Sequence, residues 1–281
     1  MRKAAIYLLF GLAGCGRTGP FGGSLQPASL PSEPAVRLED LHPYFVAGEQ
    51  ITWSVTLLGV EGVRARLAVG QPGIEKGRRV VAVAAQAESA GILAAVKKVR
   101  DSVSSWIDVE SGIPTRTISE VEMKGKTLEV QAIRRSRQPV ADLVVKRGKG
   151  ARELKESKRL PSFETHDPLS AILVLRNWTA ANGSRAVFTT LGGLRIWRTD
   201  VVVEGREELS GPLGKRQTIR IAGVSRRMIG NRPDRRHKPR TFTLWLSEDP
   251  ERIPLKIIAT TEYGEILVSA TSYEAPMLGR R

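Results

Sequence analysis

Over residues 50–58 apolar and polar side chains alternate one by one. Ile51, Trp53, Val55 and Leu57 fall on one side, and Thr52, Ser54 and Thr56 on the other. A period of two sends successive side chains to opposite faces of an extended chain, so the stretch is a strand with one buried face. Similar stretches recur at 63–69, 80–87, 102–108, 113–123, 127–133, 186–190, 194–204, 215–222, 240–246, 253–261 and 265–273. Turn-forming residues separate them: 59–62, Gln71-Pro72-Gly73, Ser111-Gly112, Lys124-Gly125, Gly192-Gly193, Gly211-Pro212, Asp249-Pro250 and Gly264. Connections this short join antiparallel neighbours, because a parallel pair needs a crossover of about a dozen residues or more.

Two segments carry the helical period instead. In 89–100, Ile92, Leu93, Val96 and Val99 form a stripe, with Ser89 as a cap and Lys97, Lys98 and Arg100 near the C-terminal end. In 167–177, Asp167 is placed to cap, Pro168 suits the first helical position, and Leu169, Ile172, Leu173 and Leu175 supply the apolar stripe. About a dozen strands and two short helices predict a mainly β fold: a single curved antiparallel sheet or half-barrel. Nothing else in the chain can replace that core. One cysteine among 281 residues excludes an internal disulfide, and only 5% of residues are aromatic, so aliphatic packing must hold the fold. Two short helices are few to cover so broad a sheet, which predicts an apolar groove left open on its concave side.

The lone cysteine has another reading. Arg2-Lys3, an apolar run over 4–12 and the box Leu12-Ala13-Gly14-Cys15 have the order of a secretory signal. The run is too short to span a bilayer, which needs ~20 residues. The box resembles the bacterial lipoprotein signal, which implies cleavage before Cys15 and its lipidation. Gly16, in place of Asp, implies the periplasmic face of the outer membrane. The predicted organisation is a signal peptide at 1–14, a lipidated flexible tether at 15–40, one antiparallel β domain at 41–274 and a tail at 275–281. The tether is rich in Gly and Pro and poor in apolar residues.

The formal charge is +15. In a cytosolic chain this would suggest nucleic acid, but behind an export signal the anions in reach are lipid headgroups, lipopolysaccharide phosphates and cell-wall carboxylates. Two segments concentrate the charge. Residues 146–159, read as a solvated loop, offer Lys146, Arg147, Lys149 and Arg152. Residues 226–238, read as an enlarged hairpin loop, offer Arg226, Arg227, Arg235 and Arg236. These eight are the candidate contacts to anionic surfaces. An ordinary solvated basic surface is the plainer reading of the same residues.

Catalytic patterns are sparse. His42, His166 and His237 are far apart and lack zinc-ligand spacing. There is no G-x-S-x-G elbow. Gly211-Pro212-Leu213-Gly214-Lys215 is too short for a phosphate loop and lies between strands. His166-Asp167 beside Ser170 is accounted for by helix capping. No catalytic residue, metal or cofactor is therefore assigned.

Beyond these patterns, a series of short pieces resembles the domain-of-unknown-function 3108 family of exported bacterial envelope proteins. In order they are Gly48-Glu49 with Trp53, then Asp108 and Pro114. Next come Asp167, Leu169-Ser170-Ala171, Leu175-Arg176 and Gly183, followed by Gly205, Glu207, Pro212 and Gly214. The last are Trp245-Leu246-Ser247, Asp249, Arg252, Ile253 and Pro254. The resemblance implies a strongly curved antiparallel sheet, similar to the lipoprotein-carrier half-barrels that hold acyl chains. The basic 226–238 segment and the low aromatic content depart from it. The leading expectation is a non-enzymatic envelope lipoprotein that holds a lipid or other hydrophobic component in its concave sheet. The alternative is a scaffold that contacts cell wall, lipopolysaccharide or a partner protein through its basic loops. An enzyme comes third.

Overall fold

Sixteen strands among the described residues pair into one sheet. The structure, a computed structural model, describes residues 36–276 apart from 58, 92–93, 95–99, 124–125, 136–137, 149–151, 163 and 262–263. In chain order the strands are β1 (Val36–Arg37), β2 (Gln50–Leu57), β3 (Val60–Glu75), β4 (Arg78–Ser89), β5 (Arg100–Asp108), β6 (Pro114–Met123), β7 (Lys126–Arg134), β8 (Val140–Arg147) and β9 (Leu154–Arg159). Helix α1 (Pro168–Asn177) follows. Then come β10 (Arg185–Gly192), β11 (Arg195–Gly211), β12 (Gly214–Ile229), β13 (Arg232–Pro233), β14 (Arg240–Ser247), β15 (Pro254–Thr261) and β16 (Gly264–Glu274). Across the sheet the order is β1-β10-β11-β12-β14-β15-β16-β2-β3-β4-β5-β6-β7-β8-β9, with β13 beside β12. Every pair is antiparallel except β1 with β10. The β16–β2 pair joins the C-terminal half to the N-terminal half, with Glu274 opposite Gln50.

The sheet is open and curls around α1. One side of the helix, Leu169 and Leu173, packs with Ile51, Trp53, Val83, Ile107 and Val268 from β2, β4, β5 and β16. Its other side, Ala171, Val174 and Leu175, packs with Phe188, Val201, Ile221 and Leu244 from β10, β11, β12 and β14. A helix that touches opposite walls lies inside the curl. The segment is apolar on nearly every side, as a fully buried helix must be, and Pro168–Ala171 and Leu173–Arg176 are all buried. Gly112 permits the close fit: a Cβ there would lie 2.9 Å from Val174 Cγ2. The expected open groove is thus occupied over the helix by the chain itself.

The two ends of the sheet overlap. Leu191 and Ile196 sit opposite each other in the β10–β11 pair, one residue out of phase with the inward Phe188, Thr190 and Trp197. They therefore point outward. Yet both are buried, clustered with Val130 and Ala132 of β7 and Ala141, Leu143 and Val145 of β8. The register runs Val130 to Ser119, Val103 and Ala85, so these β7 and β8 residues belong to the inner face. The β7–β8 end consequently covers the outside of the β10–β11 hairpin, as in a scroll. Between β9 and α1, His166 seals part of the β10 edge. Its N–H donates to Thr189 O at 2.8 Å, and Leu191 N donates to its carbonyl at 2.8 Å.

Several expectations need correction. Gln71-Pro72-Gly73 does not turn the chain but lies at a bulge inside β3, where proline is tolerated. The reversal comes at Lys76-Gly77, both with positive φ. The predicted helix over 89–100 begins on the last residue of β4 and ends on the first of β5. Between them only Ala90, Gly91 and Ala94 are described, and Ala94 N donates to Ala90 O at 3.3 Å. The remainder of that helix lies outside the described residues. The 146–159 segment is not one loop, since β8 runs through Arg147 and β9 forms a charged edge strand. Such edges are guarded by lysine and other charges, which disguise them as loops. Likewise Arg226 and Arg227 lie on β12, not in a loop. The fold also begins before residue 41, because Val36 and Arg37 pair with β10 and Leu38 is fully buried. Cys15, the expected signal peptide and the expected tether up to residue 35 lie outside the described residues.

Candidate functional site

The chemically richest positions of the interior lie at the two ends of α1. At its C-terminal end the last carbonyls of a helix have no partner within the helix. Arg252 supplies them: Nε donates to Arg176 O at 2.7 Å and Nη2 to Trp178 O at 2.9 Å. A cation there also complements the helix dipole. Arg176, on the helix, answers in reverse with Nε to Arg252 O at 2.9 Å. Its two terminal nitrogens hold Glu49 in a bidentate pair at 2.5 and 2.9 Å. Arg176 and Glu49 are 1% and 0% exposed. Further hydrogen bonds support such a buried pair, and Glu251 O accepts a fourth N–H of Arg176, from Nη2, at 2.7 Å. The Tyr44 ring lies 5.1 Å from the Arg176 guanidinium and its hydroxyl donates to Pro250 O. Burial raises the Tyr44 hydroxyl above its ordinary value, and pushes Tyr273 up to about 12, with Glu49 adding to both effects. Trp53 Nε1 donates to Pro254 O at 2.8 Å, which ties β2 to the same loop.

At the N-terminal end Asp167 is the cap. Its Oδ1 accepts from Ser170 N at 2.8 Å, and Ser170 Oγ accepts from Asp167 N at 2.9 Å. This reciprocal bonding satisfies two orphan donors. The Oδ2 atom accepts hydroxyls from Ser105 of β5 at 2.5 Å and Thr117 of β6 at 2.6 Å. Arg134 of β7 donates to Thr165 O at 2.5 Å, and burial brings it down to about 10 against the opposing pull of Asp167.

His166 is fully buried beside this cap. Burial takes its pKa down to about 4; Asp167 opposes that shift and Arg134 reinforces it, so the ring is neutral at pH 7. Its Nδ1 lies 3.3 Å from Ser170 Oγ and its edge meets Phe188. The Ser-His-Asp grouping is not a nucleophilic triad. The carboxylate is bonded to Ser105, Thr117 and the Ser170 amide rather than to the ring, and all three residues are buried to 1% or less. The other histidines are apart from it: His42 Nδ1 lies 2.5 Å from Glu110 O, and His237 pairs with Asp234.

The predicted basic contacts divide. Lys146 is engaged by Glu129 and Glu153 at 3.4 and 3.2 Å. Arg226 pairs with Asp200 at 2.9 Å, and Arg227 with Asp234 at 3.4 Å. Arg147, Arg152, Arg235 and Arg236 are exposed, while Lys149 lies outside the described residues. The overlap of the sheet does something the sequence could not show. Val145, next to Lys146, and Met228, next to Arg227, belong to one apolar cluster, so both basic segments rim it. Trp245 faces outward beneath the β11–β12 hairpin. Its Nε1 donates to Glu207 Oε1 at 2.6 Å, and Lys256 covers its ring.

Glu49, Trp53, Asp167, Arg176, Arg252 and Pro254 came from separate pieces of sequence, yet all act in these two clamps. A family model described as "Protein of unknown function (DUF3108)" matches residues 50–271. The chain belongs to that family. In this DUF3108 domain Glu49, Asp167, Arg176 and Arg252 fasten α1 at its two ends. Among solved structures, a beta-barrel-like protein of domain of unknown function DUF1849 from Brucella abortus is similar at 12% identity. The match has a TM-score of 0.54 and covers 83% of this chain and 99% of that one. The likeness is one of fold. A protein described as exported, with a YmcC-like fold, from Bacteroides fragilis matches at 9% identity and TM-score 0.32, over 83% of this chain and 98% of that one. A protein described as a lipoprotein from Parabacteroides distasonis matches at 7% and 0.30, over 86% and 100%. No curated protein matches the sequence significantly. Among the described residues no helix is long and apolar enough to cross a membrane.

Proposed function

We propose that this DUF3108 protein is a non-catalytic lipoprotein of the bacterial envelope that works through its surface, contacting anionic envelope components with its basic segments. One observation carries the reading: α1 occupies the concave side of the sheet, with both its flanks in the core. A lipid held there would have to displace the helix, and so break Arg252, Arg176 and Asp167 from their buried partners. Glu49, Asp167, Arg176 and Arg252 at the ends of the helix are likewise bonded within the clamps and are not presented to a substrate. The signal-like start and Cys15 support attachment by acyl chains, two or more of which hold a protein stably. Gly16 supports the outer membrane, and the excess of basic residues supports an anionic partner.

The test uses the native lipoprotein, purified in detergent from envelopes of cells labelled with radioactive palmitate. Label that disappears in Cys15→Ala, native mass spectra with no lipid beyond the anchor, and salt-sensitive retention on purified cell wall, lipopolysaccharide or anionic vesicles are expected. A second, stoichiometric lipid that stays bound to the Cys15→Ala chain would restore the carrier reading. Retention on none of the three anionic surfaces would overturn the surface reading.

A further inference from the structure

The end of β12 carries a feature that the core does not explain. Ile229 and Arg232 face each other across a two-residue turn, Gly230-Asn231. Gly230, with φ +58, gives the positive angle that the first turn position of a type II′ hairpin requires. Ile229 at this tip is 55% exposed. Around it Arg232, Arg235, Arg236 and Lys238 are all exposed. The sole carboxylate of 226–240, Asp234, is turned inward and only 6% exposed. It accepts from Arg236 N at 3.1 Å, lies 2.8 Å from His237 Nδ1 and pairs with Arg227 Nε at 3.4 Å. Burial by itself would raise its pKa, but those bonds and the Arg227 charge hold it below the ordinary carboxylate range. The one negative charge thus fixes the loop from within and neutralises none of the four outer cations.

We infer that this hairpin docks on an anionic membrane surface, with Ile229 entering the acyl boundary and Arg232, Arg235, Arg236 and Lys238 at the level of the lipid phosphates. The inference rests on the surface-contact reading and names its partner. Charge complementarity limits the partner to a polyanion, and the leading isoleucine selects among polyanions. A cell-wall glycan or lipopolysaccharide core offers carboxylates and phosphates but no apolar medium behind them. A bilayer offers both in that order, and apolar tips with basic surroundings bind such interfaces.

The experiment uses the full chain in a Cys15→Ala background, so that no acyl chain contributes. Co-sedimentation is measured with phosphatidylcholine vesicles that contain or lack phosphatidylglycerol, and separately with purified cell wall. Binding only to the anionic vesicles, weakened at least ~10-fold when the four cations become serine, is expected. Ile229→Ser should weaken it several-fold at unchanged charge. Replacing the three arginines by lysine should preserve it, and also serves if the serine variant does not fold. Vesicle binding that neither the serine nor the Ile229→Ser change affects overturns the inference and leaves the surface reading intact. Binding to cell wall without vesicles does the same. Binding to neither overturns the inference and leaves lipopolysaccharide as the one partner of the surface reading.

Discussion

His166 shows what a single buried side chain does to the whole energy balance. In the folded chain its pKa is about 4, against an unfolded value of 6.5, because burial disfavours the charged ring. Between these values the unfolded chain binds more protons than the folded one, so stability falls as pH falls. The contribution is complete above pH ~6.5 and is lost progressively toward pH ~4, a loss on the order of 3 kcal/mol. Urea midpoints measured across that range should fall steeply for the wild type and more gently for His166→Gln. Parallel curves would show that another group governs the acid limb. The sequence reading placed His166 beside a cap, which is where it lies. That its ring is wholly enclosed was not legible, because the enclosure comes from β10, β7 and the Gly112 turn, none of them neighbours in sequence.

At the scale of the element, α1 is a rod fastened at both ends. Its N-terminal fastening was readable, since Asp167-Pro168 followed by Ser170 is a local code. The C-terminal fastening was not, because Arg252 and Glu49 arrive from 76 and 127 residues away. The central position of the helix did leave a trace: Leu169-Ser170-Ala171-Ile172-Leu173-Val174-Leu175 has no charged face to turn toward water. The overlap left one too, in the adjacent buried pair Ile196-Trp197, which breaks the alternation of β11. Edge strand β9 left none, because exposed strands lack an apolar period. Two substitutions test the fastenings. Asp167→Ala removes the cap and strands the Ser105 and Thr117 hydroxyls, and should cost about 2–4 kcal/mol in chemical denaturation. Arg252→Leu takes the donor from the carbonyls of Arg176, Trp178 and Ser247 and should cost about 3–5 kcal/mol. If both losses fall below ~1 kcal/mol, the helix is held by apolar packing alone.

For the molecule as a whole, one continuous sheet around one helix should unfold as a unit. Heat denaturation followed by far-ultraviolet dichroism and by tryptophan fluorescence should give coincident transitions, and separated transitions would divide the sheet into independent halves. The strand ladder joins those halves where β16 lies against β2, with residues more than 200 positions apart in register. This placement governs how the protein must come into being. A ribosome delivers β2 early and β16 last, so β2 and β15 each wait with an unpaired edge until the final eleven-residue strand arrives. A growing chain is therefore most exposed to pairing with its neighbours just before synthesis ends. A stop codon or proteolytic nick ahead of residue 264 would leave two sticky edges instead of a slightly shorter protein. The last strand is the stitch that joins the two halves of the ladder.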